Sequence, residues 1–467
     1  MLAMRTALLF LLAASVSGAY AQSDDALARR NPFLGNERIA GSAEIITVFS
    51  GGSTIQSTIL DYDLLGLTSG PEGSQSGSSF AVPEVITGDY DGDRQDDIVV
   101  AYPGVRPPTT PRNPRLHLLV PRVDETTHAW TGQTVTTVRD KLIETFAVPV
   151  RGAAGHFDED PAEELLLAYH SAEERVRLTL FDFDDDLTPR PVGSIAGPLL
   201  SWAILGSSAL FDVAVGDLDG DGLSEVVLVT MEADFDGGGR WGIVAEVYDS
   251  DPSAAHDSQR LERRIRQLVF DETRAPSSSG FDVLRLDVTT GNLGGTARHE
   301  IVIGFQVSEG GNSGDQTVTY LQPAGVDDAL SALVFDDANL LVHASGSGNP
   351  GQAMTLLTED FQGDGRDELF ALGLGLLSVY EADDSLSLTR RASIGTSQPG
   401  ATAHRAVEIA DLDARQNADS WRSEVIVAGD DGSGNARVSV HTMAIVDSTG
   451  IWILPLQDSI TVPRSSS

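Results

Sequence analysis

The sequence predicts an all-β chain, a β-propeller built from four-stranded antiparallel blades. Three observations lead there: an aspartate-rich turn recurs six times, each unit holds four short apolar runs, and helix-period stretches are scarce. The turn is clearest at 88–100, G-D-Y-D-G-D-R-Q-D-D-I-V-V, and at 216–229, G-D-L-D-G-D-G-L-S-E-V-V-L-V. Fainter copies stand at 156–167, 292–303, 360–370 and 411–427.

The six loops begin at Asp89, His156, Asp217, Asn292, Asp360 and Asp411. The shortest step is 411 − 360 = 51 residues and the longest is 292 − 217 = 75. A period of that size marks a repeat architecture. In the first unit the apolar runs are 81–87, 98–102, 116–120 and 134–138, parted by Pro103-Gly104 and a proline-rich stretch at 107–114. The unit from Phe211 holds 212–215, 226–230, 242–248 and 261–270, with a triple-glycine turn at 237–239. Four short strands with turn residues between them describe one propeller blade. A helix competes for 257–270, where Arg260, Arg263, Arg264 and Arg266 cluster. An exposed outer strand is the preferred reading there, with a partner-binding patch as a minor alternative.

Further strand-like runs precede the first loop (44–49 and 54–60) and follow the last (424–429, 437–443 and 451–462). N-terminal strands completing a blade with C-terminal ones would close a ring and remove exposed sheet edges. Seven blades is the first expectation and six the second. The Gly- and Ser-rich stretch 66–79 reads as a flexible surface loop.

The chain opens with Met1 and Arg5, then an apolar run at 7–16 closed by Ala19-Tyr20-Ala21. That is the layout of a secretory signal peptide over residues 1–21. A membrane span needs about 20 apolar residues, so the run is too short for one. Residues 22–41 read as a linker, 42–462 as the propeller and 463–467 as a tail. The expected address is secreted or periplasmic, with no membrane insertion, and the expected state is a monomer. The chain has no cysteine, which excludes disulfides and a lipid anchor on an N-terminal Cys. An exported chain of this kind is held by its core or by metal.

The net charge is −38, from 69 acids against 31 bases. Nucleic acid is excluded as a partner, because phosphate contacts need a basic surface. Much of the charge is a solvated acidic surface. Part of it is concentrated in the repeated loops, where crowded carboxylates repel unless a cation offsets them.

In the first loop Asp89, Asp91 and Asp93 fill positions 1, 3 and 5, Gln95 position 7 and Asp97 position 9. Ca²⁺ takes six to eight oxygens at roughly 2.3–2.6 Å, which alternate residues of a tight turn can supply. Gln95 would give its backbone carbonyl, and Gly92 permits the turn. The third loop offers Asp217, Asp219, Asp221, the Leu223 carbonyl and Glu225, with Gly220 and Gly222. An EF-hand would need an acid at position 12 and flanking helices. Position 12 is Val100 in the first loop and Leu228 in the third, and both flanks read as strands. An EF-hand is excluded.

The pattern D-x-D-x-D-G-x-x-(D/E) before an apolar strand, once per blade, resembles the FG-GAP/VCBS repeat of integrin α-subunit propellers and of secreted bacterial proteins. Phe80-Ala81, Phe146-Ala147, Phe211-Asp212 and Phe281-Asp282 match the phenylalanine that opens that repeat. The resemblance spans about 42–462 and implies a Ca²⁺-binding propeller used in adhesion or ligand binding. The fourfold acids of the loops at Asp89 and Asp217 complete the cation pattern. At Asp360 the set is Asp360, Gln362, Asp364, Arg366 and Glu368, with Gln362 able to offer a carbonyl oxygen. His156 replaces the first aspartate of the second loop, leaving Asp158, Asp160 and Glu164. Asn292, Gly294 and Thr296 leave Glu300 as the single acid of the fourth, which reads as a metal-free turn. At Asp411 and Asp413 the pattern is broken by Arg415 and the late Glu424. The competing explanation is that Asp and Gly are simply turn residues. It suffices at Asn292 and explains the four converging acids at Asp89 and Asp217 poorly.

No catalytic motif stands out. There is no G-x-S-x-G nucleophile turn, His299-Glu300 is not followed by a second zinc-binding histidine, and the sole lysine, Lys141, lacks a glycine-rich phosphate loop. The expected function is a secreted Ca²⁺-binding propeller acting without catalysis on a protein or glycan partner. The alternative is an enzyme on the same scaffold, of polysaccharide lyase or phosphodiesterase type.

Overall fold

The computed structural model describes residues 8–12, 18–19, 43–51, 54–63, 66–76, 78–79, 84–92, 97–105, 115–123, 130–141, 150–171, 173–184, 186–199, 210–233, 241–250, 261–271, 281–309, 316–346, 354–362, 364–395, 406–410, 424–430, 436–442, 444–446, 451–453 and 456–462. Among them every regular element is a β-strand except one short 3-10 turn, Asp337–Asn339.

Apart from a two-stranded hairpin, Ala444–Val446 with Ile451–Ile453, the strands form sheets of four or five in chain order. The second sheet is Glu84–Gly88, Asp97–Val105, Arg115–Val123 and Trp130–Lys141, with Ser78–Ser79 added. The third is Val150–Gly155, Glu164–His170, Arg175–Phe183 and Pro189–Leu199, with Gly18–Ala19 added. Phe211–Gly216, Glu225–Ala233, Trp241–Ser250 and Leu261–Asp271 make the fourth. The fifth is Phe281–Gly291, Glu300–Glu309, Gln316–Val326 and Leu341–Gly346, and the sixth Thr355–Glu359, Glu368–Gly373, Leu376–Ala382 and Leu388–Gly395. Each is an antiparallel meander whose first strand lies beside the first strand of the next sheet. This is the arrangement of propeller blades, and it follows from the short turns, which let each strand pair with its sequence neighbour.

At the ends the chain departs from expectation. The first sheet is Leu8–Leu12, Ala43–Gly51, Thr54–Asp63 and Gly66–Ser76, and the seventh is Ala406–Ala410, Glu424–Asp430, Ala436–Thr442 and Leu456–Val462. Among the described residues no sheet mixes N- and C-terminal strands, because the C-terminal stretch supplies four strands of its own. Contact between the two end sheets runs instead through Leu8–Leu12 beside Ala406–Ala410, and Leu456–Val462 beside Gly66–Ser76. The stretch 66–79 is also no loop. Gly66–Ser76 pairs along Thr54–Asp63, since ladder bonds come from the backbone and Gly and Ser supply them as well as any residue.

Leu261–Asp271 is a strand, paired with Trp241–Ser250 through two register shifts. Its arginines do not form a free basic patch. Arg266 pairs with Glu232 at 2.6 Å and Glu246 at 3.1 Å, Arg263 with Glu246 at 2.9 Å, and Arg264 with Asp249 at 2.8 Å. Glu246 is fully buried and also accepts from the Tyr248 hydroxyl. The arginines answer a buried carboxylate.

Between sheets the core is aliphatic with a few aromatic contacts. Phe270 of the fourth sheet meets Phe305 of the fifth at 4.6 Å between ring centroids, and Tyr90 stacks on Phe183 at 4.5 Å. In the second, fourth, fifth and sixth sheets the first strand is a sheet edge, so its polar groups need partners from a neighbouring blade. Thr290 Oγ1 donates to the Val215 carbonyl and Thr358 Oγ1 to the Thr290 carbonyl, both at 2.6 Å.

A second repeated motif shapes the outer hairpins: D-D-D-L-T at 184–188, D-D-A-L-S at 327–331 and D-D-S-L-S at 383–387. The first aspartate accepts the amide of the final Thr or Ser at 2.9, 2.6 and 3.0 Å respectively. The leucines take φ of 57, 48 and 60°, a left-handed conformation unfavourable for a side chain. Their burial against the core offsets it: Leu330 is a core residue, and Leu187 and Leu386 pack on core clusters.

Candidate metal centres

Each aspartate loop joins the first and second strands of a blade. The acid at position 9 starts the second strand and folds back over the turn. Glu164 accepts the amide of Phe157 at 2.8 Å, Glu225 that of Leu218 at 2.7 Å, and Glu368 that of Phe361 at 2.9 Å. Glu300, in the loop with no other acid, does the same to Gly294 at 2.8 Å. The clamp therefore belongs to the turn and needs no cation. Position 1 is equally built in: Asp217 accepts from the amides of Gly220, Asp221 and Gly222, and Asp360 from those of Asp364 and Gly365. Gly220 and Gly222 have φ of 82 and 91°, which only glycine adopts at little cost.

The turn alone leaves a remainder. Asp217, Asp219 and Glu225 present carboxylate oxygens all within 4.8 Å of one another, and so do Asp158, Asp160 and Glu164. Glu225 is fully buried, and its Oε1 has no hydrogen-bond partner. Burial, then the neighbouring Asp219, Asp217 and Asp221, push its pKa up to about 9, against the clamp to Leu218. Glu164 is likewise pushed up to about 9 by burial and the charges of Asp158 and Asp160. Hard oxygens, converging negative charge and an orphaned buried atom fit a Ca²⁺ ion.

The other expected ligands divide. Asp221 stays outside its group of three and accepts the Leu223 amide at 2.8 Å, while Leu223 itself is half-buried. In the first loop Asp89 is buried, Asp91 exposed and Asp97 half-buried. Asp93 and Gln95 lie outside the described residues, as does the loop at Asp411. At the sixth sheet the Gln362 amide nitrogen donates to Glu368 at 2.7 Å and Glu381 at 2.9 Å. A neutral amide there does part of what a cation would do. The Arg366 guanidinium turns away to Asp384 at 2.7 Å.

Adjacent loops are tied by a bond that the sequence motif did not reveal. The amide at position 8 of one loop donates to the carbonyl at position 1 of the preceding one. The four instances are Glu163 to Asp89 (2.8 Å), Ser224 to His156 (2.7 Å), His299 to Asp217 (2.7 Å) and Asp367 to Asn292 (2.9 Å). Five loops thus form a continuous belt. The glycines just before the loops make room for it: a Cβ on Gly216 would lie 2.6 Å from His299 Nδ1, and one on Gly291 2.6 Å from Asp367 Oδ2.

Five residues before each of the first four loops lies a second missed constellation: Glu84, Arg151, Asp212 and Asp287, all buried or nearly so. Arg151 Nη1 is 3.3 Å from Glu84, and its Nε is 3.1 Å from Asp212, close but without hydrogen-bond geometry. Asp212 accepts the Val288 amide at 2.8 Å and Asp287 the Leu356 amide at 3.2 Å, each from the next blade. Burial pushes Glu84 up to about 8 against the attraction of Arg151, and raises Asp287 well above the usual range. Aligning the copies by loop start would have shown this level as three acids and an arginine in the first four, with Thr355 and Ala406 in the last two. The four opening phenylalanines, by contrast, do not share a register. Phe211 is six residues before its loop and Phe281 eleven before Asn292.

No family model matches the chain, and no curated protein matches it. Among solved structures it is similar to the Aleuria aurantia lectin, described as a six-bladed β-propeller with a novel fucose recognition mode. The identity is 10%, with 82% of this chain and 95% of that one covered and a TM-score of 0.35. A mercury derivative of that fucose-specific lectin gives 11% identity, 82% and 95% coverage and a TM-score of 0.34. The class of protein rests on the strand order: all-β, antiparallel four-stranded sheets laid side by side as propeller blades.

Proposed function

We propose that this chain is an exported, Ca²⁺-stabilised β-propeller of seven blades, working without catalysis as a binding or adhesion module for a protein or glycan partner. The observation that carries the reading is the third loop. Asp217, Asp219 and Glu225 converge there, and one buried oxygen of Glu225 has no partner. A bound Ca²⁺ would answer that oxygen, relieve the mutual repulsion of the acids, and brace two blades at once through the Ser224 and His299 amide bonds. The resemblance to FG-GAP/VCBS repeats supports the same role. Seven sheets of four or five strands following one another along the chain support seven blades. Export rests on residues 1–21, and their removal would leave the first sheet with three strands.

Ca²⁺ at 100 times its dissociation constant adds about 2.7 kcal/mol per site. Thermal melts in excess Ca²⁺ and in chelator should therefore differ by several degrees, and equal midpoints would sink the proposal. The ligand class is read from a glycan array probed with the Ca²⁺-loaded protein. Saturable binding to a defined glycan supports the glycan arm, and a blank array transfers the role to a protein partner.

A further inference from the structure

We propose that the axis around which the first strands gather is a docking site for an extended, uncharged peptide, aliphatic in one part and rich in Gly and Ala in the other. Residues 8–19 hold that site shut until residues 1–21 are removed. This rests on the export reading above, in which 1–21 are a cleaved leader.

The leader is seated against the inner strands of all seven sheets. Leu8–Leu12 pairs in parallel with Ala43–Gly51, from Leu8 opposite Glu44 to Leu12 opposite Val48. It also lies beside Glu84–Gly88 and Ala406–Ala410. Gly18–Ala19 pairs in parallel with Val150–Gly155, Gly18 opposite Gly152 and Ala19 opposite Ala153. It lies beside Phe211–Gly216, Phe281–Gly291 and Thr355–Glu359 as well. A strand of two residues is only about 7 Å long. It meets strands of four different sheets because those strands converge around it.

Removal of the leader uncovers what it covers. Ala43–Gly51 reads A-E-I-I-T-V-F-S-G, and the L-L-F-L-L strand on its inner edge is wholly apolar. Without that strand the edge loses its ladder, and an apolar seat meets water. Val150–Gly155 loses the bridge to Gly18–Ala19 and keeps the Glu84 carboxylate at the Gly152 amide. An extended chain laid on these two edges restores both ladders. Adding a strand to a free sheet edge is a recurrent mode of peptide recognition, in which backbone bonds give the affinity and side chains the selectivity.

The occupant's chemistry follows from the walls. Four strands crowd around Gly18–Ala19, and the strand paired with it has no room to give. A Cβ on Gly152 would lie 2.8 Å from the side chains of Ile86 and Leu167. Gly and Ala therefore suit that part, and aliphatic side chains suit the part beside Ala43–Gly51. Arg151, next to Gly152, is engaged by Glu84 at 3.3 Å and Asp212 at 3.1 Å, and Asp287 supplies a third acid at that level. Three acids around one arginine disfavour an acidic peptide.

The test starts from the full chain, with a protease site in a Gly-Ser spacer inserted after Ala21 and cut only after folding. The probe is a labelled peptide with the sequence of residues 8–21 and a trilysine tail for solubility, followed by fluorescence anisotropy. The cut chain should release its fragment to excess probe and bind the probe saturably, while the uncut chain should not bind it. N-methylation of the probe at Leu9, Leu11, Gly18 and Ala19 removes ladder donors and should weaken binding about tenfold or more. Glutamate in place of Gly18 and Ala19 should weaken it as well. Equal binding to cut and uncut chains, or indifference to N-methylation, would overturn the site. So would a fragment that excess probe cannot displace, or a cooperative melt lost when the fragment leaves, since the leader would then be a structural strand. The export reading is checked separately by the mass of the secreted chain. Residues 1–21 retained there would overturn the opening step and leave the titration of the cut chain as it stands.

Discussion

Glu225 has two oxygens with two duties, and a single substitution separates them. One oxygen closes the turn onto Leu218, and the other is buried without a partner among Asp217 and Asp219. Glu225→Gln keeps an acceptor for the Leu218 amide and removes the charge. It should leave the melting point in chelator equal or higher, and remove the roughly 2.7 kcal/mol that saturating Ca²⁺ adds at that site. Calorimetric melts with and without Ca²⁺ check this, and an undiminished Ca²⁺ response would take Glu225 out of the cage. Proton linkage gives a second prediction. Glu225 and Glu164 are raised from 4.5 to about 9. Their contribution without metal is fully present below pH 4.5 and is lost as pH climbs through about 9. Midpoints in chelator should fall across that window, and Ca²⁺, which favours the ionised carboxylates, should flatten the fall. His343 acts in the opposite direction, since burial lowers its pKa from 6.5 to about 4. Its contribution is present above 6.5 and disappears as pH drops through about 4.

At the scale of elements, the blade junction carries the argument. The inner strands do not pair through a backbone ladder; side chains satisfy their edges. The Thr290 hydroxyl meets the Val215 carbonyl, and the carboxylates of Asp212 and Asp287 meet amides of the next blade. Thr290→Val, nearly the same shape, should destabilise by about 1 kcal/mol through the carbonyl left unpaired. Gly216→Ala should be worse, by about 1–3 kcal/mol, because its Cβ would meet His299 Nδ1 at 2.6 Å and Thr290 Oγ1 at 2.7 Å. Urea titrations rank the two, and a neutral Gly216→Ala would mean that the neighbouring loop is not held against this strand. The strands were legible in the sequence, because apolar runs between glycine and proline turns leave few other ways to pair. The junctions were not, because each joins residues some 70 positions apart whose partners are a single hydroxyl or carboxylate.

For the whole molecule, the contacts of Leu8–Leu12 with Ala406–Ala410 and of Leu456–Val462 with Gly66–Ser76 bring the first and seventh sheets together. A compact chain of this length has a radius of gyration of about 23 Å. Small-angle scattering of the full chain should give a radius near that value, and one well above it would mean that the end sheets do not meet. The net charge of −38 adds a demand of its own. Self-repulsion opposes compaction, so salt should raise the melting point even where Ca²⁺ is absent.

By itself the sequence determined the all-β class, the repeat and the loops whose acids could hold a cation. Those features are local: alternating apolar residues, turn glycines and aspartates two apart act over a dozen residues. Only the tertiary structure decided which acids converge, that position 9 is also a clamp, that Gln362 gives its nitrogen to Glu368, and that the arginines of 261–271 are spoken for by Glu232, Glu246 and Asp249. It also brought Glu84, Arg151, Asp212 and Asp287 to one level. Charge alone could not foretell this. In a chain with this many carboxylates, which one meets which cation is set by register across blades, and register is a property of the assembled sheets.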